Sequence, residues 1–342
     1  MRRIPLALLA WLVAYSAWAE PLSFHGKTVT VIVPYGAGGG TDLAGRLIAE
    51  YLARLLPGGP SVITRNMPGA DGMAGMNYFV QKTPPDGLTL VLGSGTTSDP
   101  LQYRKPQSHY DPTRFNFIGG VGRGGSFLLI NKAAEPRLYD KRAAAVTMGS
   151  VGGVPRAAME GTVWGIEFLG WNARWVLGYH GTNSLILALE RGEIDMTATG
   201  VSAQVQRLLD SGKIKILTNY TSGSVVRTDF GDPPVFASML QGKIKDATAK
   251  KAFDYYLGMM SIDKWVALHP ATREAVVTAY RAAFAKMSKD PEFLSRGRLM
   301  SEEFEPMTHT EVARLVDTLG NTPPDAIRFI DTLYKKQGLL SE

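Results

Sequence analysis

The residues best suited to chemistry lie in a glycine-rich segment, residues 35–42, that follows the β-branched run 29–33. The run predicts a buried parallel strand, and a helical pattern begins at Thr41 and Asp42. Glycine at positions 36, 38, 39 and 40 allows backbone conformations in which N–H groups converge. Because a helix N-terminus adds unpaired N–H groups and a positive dipole end, the segment predicts an anion-binding site. A tight turn without a ligand is the alternative.

All residues of this segment except Gly40 are predicted to contact the anion. We expect Asp42 or Thr41 to cap the helix, with the Asp42 carboxylate turned to backbone donors so that it does not repel the anion. The predicted contacts are Tyr35, Gly36, Ala37, Gly38, Gly39, Thr41 and Asp42.

Small polar residues occupy the ends of other predicted elements. Ser94, Gly95 and Thr96 end the predicted strand 88–93, and this end of a parallel sheet faces the same crevice. Further backbone donors are predicted in Ser150, Val151, Gly152 and Gly153, which follow the predicted strand 145–148, and in Tyr179 and Thr182, which precede a helix.

The elements that position these residues alternate between strand and helix. Strands at 29–33, 61–65 and 88–93 with helices at 42–55 and 72–81 predict a βαβαβ unit with a parallel sheet. Strands are also predicted at 117–121, 127–131, 145–148, 168–171, 194–197, 214–220, 259–262 and 303–305. Helices are predicted from the 149–153 loop to about 161, up to 191, and at 202–209, 247–256, 271–287, 291–298, 310–319 and 324–337.

Two lobes are expected, because the 323 residues from 20 to 342 exceed what one core usually holds. The glycine-rich joint 122–125 suits a crossing between them. We place lobe 1 at residues 20–121 with 235–342 and lobe 2 at residues 122–234, so that the C-terminal helices pack back onto lobe 1.

Four blocks of this chain, in order, carry a family resemblance. They are VIVPYGAGGGTDLAGRLIAEYL at 31–52, NMPGADGMAGMNYF at 66–79, PPDGLTLVLGSGTTSDP at 84–100 and GYHGTNSLILALERGEIDM at 178–196. Together they resemble the substrate-binding proteins of tripartite tricarboxylate transporters, also called Bug receptors. The chain departs from that pattern at Tyr35, Gly178, His180 and residues 154–156, so the second lobe diverges most.

The resemblance implies a type II periplasmic-binding-protein fold, in which two α/β lobes with mostly parallel sheets hinge around a cleft. It implies that a carboxylate is held by backbone groups and water from the glycine loops of both lobes, and it places a polar contact at Thr199. The implied function is capture of a small organic acid and its delivery to a membrane permease. Signalling to a sensor kinase is an alternative that the chain does not distinguish.

The N-terminal residues predict export. Arg2 and Arg3 precede an apolar run, and Ala17-Trp18-Ala19 forms a cleavage site, so residues 1–19 are expected to be a signal peptide and the mature protein to be periplasmic. An uncleaved anchor is the alternative. Without residues 1–19 the chain has 35 Lys and Arg against 31 Asp and Glu, a net charge of +4. No basic run is present, so a nucleic acid partner is not expected, and we expect a monomer.

Catalytic and cofactor signatures do not fit. The glycine segment lacks both the dinucleotide and the P-loop pattern, the five histidines show no metal spacing, and the sequence has no cysteine. In GSVGG, Ser150 directly follows the first glycine, so the nucleophile-elbow spacing fails. We therefore expect no enzyme, cofactor or metal, with an exported hydrolase as the alternative.

The roles of three arginines and one histidine are left open by the sequence. Arg123, Arg156 and Arg174 are candidates to clamp a second carboxylate, since guanidinium binds that group bidentately. His180 is a candidate for pH-sensitive binding. Ordinary surface or capping positions are the alternatives for all four.

Overall fold

The computed structural model describes residues 22–122, 125–151, 155, 159–179, 182–220, 227–300 and 304–339. The predicted signal peptide 1–19, Arg123, Gly152, Gly153, Arg156 and His180 lie outside these residues. For Val151 and Thr182, only the backbone is described.

The first 122 residues carry the predicted βαβαβ unit. Its strands and helices begin and end within one residue of the predicted bounds, except that the first helix begins two residues early. The elements are β1 (Thr28–Val33), α1 (Gly40–Leu55), β2 (Ser61–Asn66), α2 (Met73–Lys82), β3 (Thr89–Ser94), α3 (Gly95–Ser98), α4 (Pro100–Tyr103) and β4 (Asn116–Gly122).

The middle of the chain forms a second group of strands and helices. They are β5 (Ser126–Asn131), α5 (Glu135–Leu138), β6 (Val146–Val151), α6 (Gly161–Phe168), β7 (Ala173–Tyr179), α7 (Thr182–Arg191), β8 (Met196–Thr199), α8 (Ser202–Asp210) and β9 (Ile214–Tyr220).

The remaining elements are mostly helical, as expected. They are α9 (Phe236–Met239), α10 (Ala247–Ser261), β10 (Ile262–Leu268), α11 (Glu274–Met287), α12 (Pro291–Arg298), β11 (Glu305–Thr308), α13 (His309–Gly320) and α14 (Pro324–Lys336).

These strands form two sheets, and the predicted α/β class is confirmed. One sheet has the order β11-β4-β10-β3-β1-β2, and the other β7-β6-β8-β5-β9. Strand β1 is parallel to β2 and β3, and β6 is parallel to β7 and β8, whereas β10, β11 and β5 pair antiparallel with their neighbours. Both sheets are therefore mixed and not mostly parallel. In the first, the C-terminal strand β10 inserts between β3 and β4, and in the second, β5 pairs antiparallel with both β8 and β9. The lobe boundaries remain predictions.

Two predicted strands are wrong. Helix α6 ends at Phe168, residues 169–171 follow it as a connection, and the strand comes at Ala173–Tyr179; the helix predicted to end near 161 begins there instead. Gly170, at φ +70°, terminates the helix, and the Trp171 ring packs where a Cβ on Gly165 would stand, 2.2 Å from it. Likewise α10 runs through Ser261, so the strand predicted at 259–262 is displaced to Ile262–Leu268.

Side-chain alternation on the strands builds three apolar clusters. Val31 and its odd-numbered neighbours in β1 face a core beneath α1, α11 and α12, whereas Ile32 faces a core shared with Trp265 of β10. That second core continues through α6, α10 and α14 to Leu128 of β5, so one apolar cluster contacts both sheets. A third cluster lies between the outer face of β5 and helices α7 and α8.

Within the part of the chain that the structure describes, every helix falls short of the length and apolar content that a bilayer crossing requires.

Candidate functional site

The loop between β1 and α1 is open to solvent. Residues 36–40 are exposed, and an added Cβ would meet no atom within 4 Å at Gly36 or Gly40 and only the Gly36 oxygen, at 3.8 Å, at Gly39. Gly38 is the member whose backbone favours glycine, at φ +81°. The glycines therefore leave room for something outside the protein instead of making space for a packed neighbour.

Helix α1 starts without a side-chain cap. Its N-cap is Gly39, which makes no side-chain capping hydrogen bond. The prediction that Thr41 or Asp42 is the cap is wrong, because the helix begins at Gly40 and both residues lie inside its first turn. The N–H groups of that turn have no partner within the helix, so they and the dipole end are directed to the open side of the loop.

The buried carboxylate of Asp42 stabilises the loop through hydrogen bonds. Its side chain is 2% exposed, and its Oδ2 accepts hydrogen bonds at 2.9 Å from the Gly38 N–H and from Nε of Arg46. Its Oδ1 accepts from Nδ2 of Asn66 at 2.9 Å. The hydrogen bond from Arg46 is the main cause that lowers the pKa of Asp42 to about 2. Asp42 therefore positions the loop, and its charge is compensated by its own partners.

Tyr35 connects this loop to the ends of two neighbouring strands. The Tyr35 hydroxyl lies 2.6 Å from Oγ of Ser94, the last residue of β3, and 3.5 Å from the backbone oxygen of Asp71. A Cβ on Gly72 would lie 3.1 Å from the same hydroxyl. The structure thus brings the loops after β1, β2 and β3 together at one edge of the sheet.

The other predicted residues of the first lobe divide by exposure. Ala37 is exposed, Thr41 and Thr96 are half-buried, and Gly95 is buried at the start of α3. Of these, Thr96 lines the cavity described below.

On the second sheet, the predicted residues lie at strand and helix ends but are more enclosed. Ser150 is fully buried in β6, next to Val151, the last residue of that strand. Thr199 ends β8, and its hydroxyl donates to Oε1 of Gln204 at 2.6 Å. Tyr179 ends β7, where burial raises the pKa of its hydroxyl, and Thr182 begins α7. The hydroxyl proton of Thr199 is therefore already donated to Gln204.

A cavity of about 480 Å³ lies between Thr96, helix α6 and helices α10 and α14. Pro155, beyond the second glycine loop, also lines it. We call this cavity the acidic pocket, because four carboxyl side chains and one basic side chain, Lys105, are among its described lining residues. The carboxyl residues are Asp71, Asp99, Glu160 and Asp331.

Aromatic and thioether side chains make up much of the remaining wall of the acidic pocket. Trp164, Tyr255 and Tyr256 are buried, and Tyr334 is half-buried. The Tyr255 hydroxyl donates to Oδ1 of Asp99, which also accepts from the Leu101 N–H at 2.8 Å. The sequence analysis did not predict this pocket. Its carboxyl residues lie far apart along the chain, and Asp331 and Tyr334, three positions apart on α14, bring a carboxyl and an aromatic side chain close together in the sequence.

A buried arginine was also missed. Arg227 is 4% exposed, and its Nη1 donates to the backbone oxygens of Gly125 at 3.1 Å and Gly200 at 2.6 Å. It also pairs with Asp229 and lies over the Phe127 ring. Arg227 therefore ties the start of β5 to the residue after β8. Of the three predicted clamp arginines, the described one, Arg174, is exposed on β7.

Metal binding finds no support among the described residues, where no group of three or more His, Cys, Asp or Glu side chains is placed to hold an ion.

Sequence comparison finds relatives over part of the chain. A UPF0065 protein in the TAR-I ttuE-ttuC′ intergenic region of Agrobacterium vitis is 31% identical over 160 residues, 44% of either chain. Protein BugT of Bordetella pertussis is 33% identical over 94 residues, 27% of this chain and 28% of BugT. The chain thus spans less than half the length of these curated relatives. No protein-family model matches.

Solved structures resemble nearly the whole chain. A TctC solute-binding protein from Polaromonas aligns with a TM-score of 0.66 at 20% identity, covering 92% of this chain and all of that one. Rpa4515 of R. palustris with adipate gives 0.62 at 22%, covering 91% and 97%. MatC of Rhodopseudomonas palustris with malate gives 0.56 at 20%, covering 90% and 98%. At these identities the likeness establishes the two-lobed fold.

Proposed function

We propose that this chain belongs to the substrate-binding proteins of tripartite tricarboxylate transporters. As such, it is a periplasmic receptor for a small organic acid. The ligand's carboxylate is captured between the two lobes. The similar structures include a solute-binding protein and a periplasmic binding protein, which supports a receptor over an exported hydrolase.

The observation that carries this proposal is the open, internally braced loop at the N-terminus of α1. Asp42 and Tyr35 fix its two sides, while residues 36–40 stay exposed and the first-turn N–H groups are available to an anion. One helix end contributes about 0.3–1 kcal/mol to binding a negative charge. Each hydrogen bond to a charged group adds about 1.5–3 kcal/mol.

Donors from the second lobe complete the proposed site. Residues 150–153, at and beyond the end of β6, the start of α7 at Thr182, and Thr199 at the end of β8 are assigned to the opposite wall. Because the two sets of donors belong to different sheets, the closed form gathers both, and the ligand therefore favours closure. We divide the hinged lobes at residues 121/122 and 234/235.

Delivery to a membrane permease is the proposed role of the closed form. Two of the similar structures hold malate and adipate, which supports a carboxylate ligand but names no partner. Co-purification of the liganded protein with permease subunits, and not with a sensor kinase, is the expected result. Co-purification with a kinase alone contradicts the transport role.

Carboxylate binding is tested by a thermal-shift screen of mono-, di- and tricarboxylates, amino acids and aromatic acids. A ligand at about 100 times its Kd adds roughly 2.7 kcal/mol of stability. A protein stabilised by no carboxylate-bearing compound would contradict the proposed function.

The location of the site is tested with Gly39→Val. Gly39 has φ −80°, and the added Cβ meets only the Gly36 oxygen at 3.8 Å, so the unliganded variant should keep the wild-type Tm. Because valine branches crowd the N–H groups at the helix start, the best ligand should bind at least tenfold more weakly. Thr278→Val, at an exposed position on α11, is the control. Unchanged affinity in Gly39→Val shows that the site lies elsewhere.

A further inference from the structure

The acidic pocket has the wrong charge for a second carboxylate. Its described lining residues carry four carboxyl groups against one ammonium, a formal excess of three negative charges. The Lys105 ammonium donates to Oε1 of Gln102 at 2.8 Å, so it already has an acceptor of its own. The free end of a dicarboxylate placed in this cavity would be repelled, and a positively charged group would be attracted.

The walls of the acidic pocket suit an organic cation better than a metal ion. Trp164, Tyr255, Tyr256 and Tyr334 contribute rings, and aromatic surfaces attract ammonium and quaternary ammonium groups. Met259 and Met260 add soft apolar surface. No metal-binding group of side chains occurs among the described residues, as noted above. A weakly hydrated cation with carbon attached matches this lining.

The acidic pocket adjoins the glycine loop, where the carboxylate is proposed to bind. Asp71 lines the pocket, and its backbone oxygen lies 3.5 Å from the hydroxyl of Tyr35, the first residue of the glycine loop. Thr96 lies two residues after Ser94, the other partner of that hydroxyl. A single molecule can therefore place its carboxylate at the glycine loop and its opposite end in the pocket. About 480 Å³ leaves room for a short chain and a substituted ammonium.

We infer that the ligand is a zwitterion, in which a carboxylate occupies the glycine loop and an ammonium or quaternary ammonium group occupies the acidic pocket. The carboxylate half rests on the proposed function, and the cationic half rests on the pocket. The acidic pocket is then the specificity determinant, because it discriminates between two ligands that present the same head-group to the first lobe.

Matched probes test the inference. Adipate and 6-aminohexanoate have the same chain length and share one carboxylate, but one ends in a second carboxylate and the other in an ammonium. Calorimetric titration of the wild-type protein should give at least tenfold tighter binding for 6-aminohexanoate. Equal affinity, or a preference for adipate, overturns the inference and leaves the proposed function intact. Binding of neither probe class at millimolar concentration, together with a negative screen of the other carboxylates, overturns both.

Charge-neutralising variants locate the effect. Asp331→Asn, on the half-buried face of α14, and Glu160→Gln, just before α6, should each reduce the preference for 6-aminohexanoate at least threefold, chiefly by weakening its binding. Two independent positions keep the test valid where one variant folds poorly. Asp210→Asn, exposed at the end of α8, is the matched control and should leave the ratio unchanged. A ratio that both pocket variants leave unchanged places the cation elsewhere.

Discussion

Replacing Asp42 with asparagine should weaken both the fold and ligand binding. The carboxylate serves three donors, from Gly38, Arg46 and Asn66, and an amide offers only one acceptor oxygen. Rotation of Asn66 does not resolve the mismatch, because its amide also donates to the Tyr35 oxygen at 3.0 Å and its carbonyl accepts from Arg46 at 3.2 Å. At least one donor facing position 42 therefore loses its acceptor.

The cost has a pH-dependent and a pH-independent part. Lowering the pKa from 3.8 to about 2 corresponds to about 2 kcal/mol of native-state stability at neutral pH. Because Arg46 is 51% exposed, solvent screening reduces this to about 1 kcal/mol. A mismatched donor adds about 1 kcal/mol at any pH. The total of about 2 kcal/mol corresponds to a Tm lowered by roughly 4 °C.

The sign of the pH dependence follows from the depressed pKa. The carboxylate stabilises the fold above pH 3.8 and loses this contribution as the pH falls towards 2. At pH 3 about half of the pH-dependent difference between wild type and Asp42→Asn should remain, as worked from the two pKa values.

Urea denaturation of both proteins at pH 7 and pH 3 measures this difference, with Asp254→Asn, an exposed carboxylate on α10, as the control. The same Asp42→Asn protein should bind its carboxylate ligand several-fold more weakly, because the glycine loop loses its brace. A stability difference that is the same at both pH values would refute the assigned ionic contribution of Asp42.

Two further predictions concern packing. Arg227→Met should cost about 3 kcal/mol in urea denaturation, because the oxygens of Gly125 and Gly200 lose a buried charged donor; a loss below 1 kcal/mol would show that this arginine is dispensable. Gly93→Ala should cost about 1–3 kcal/mol, since the new Cβ would lie 2.1 Å from the fully buried Trp265 ring, whereas Gly36→Ala, which meets nothing within 4 Å, should leave the Tm unchanged. Equal effects at the two glycines would contradict the packing described.

Local patterns predicted the first half of the fold well, for a physical reason. Strands β1 and β2 are β-branched runs followed by turns that contain glycine, and β3 is an apolar run preceded by a Pro-Asp-Gly turn, so propensity and turn chemistry agree. Strand β10 was displaced because Ile262–Leu268 follows helix α10 with no intervening turn residue. Its place between β3 and β4 depends on contacts between residues 140 or more positions apart, which no local pattern encodes.

The α6 region failed because its apolar residues suit either structure. Residues 161–171 are nearly continuous in apolar and glycine residues, so periodicity does not separate a helix from a buried strand. The contact that decides is tertiary, the packing of the Trp171 ring over Gly165.

The two parts of the candidate site also differ in how well the local sequence predicts them. Backbone donors at the glycine loop follow from local sequence, because a helix N-terminus exposes its N–H groups whatever lies across the cleft. The acidic pocket combines Asp71 and Asp99 with Glu160 and Asp331, whose positions span 260 residues, and each alone is an ordinary surface carboxylate in the sequence. Head-group recognition is therefore predictable from a motif, whereas selectivity arises where four distant elements meet. Relatives that share the motif and differ at those four positions should then share the carboxylate requirement and differ in the charge they accept at its far end.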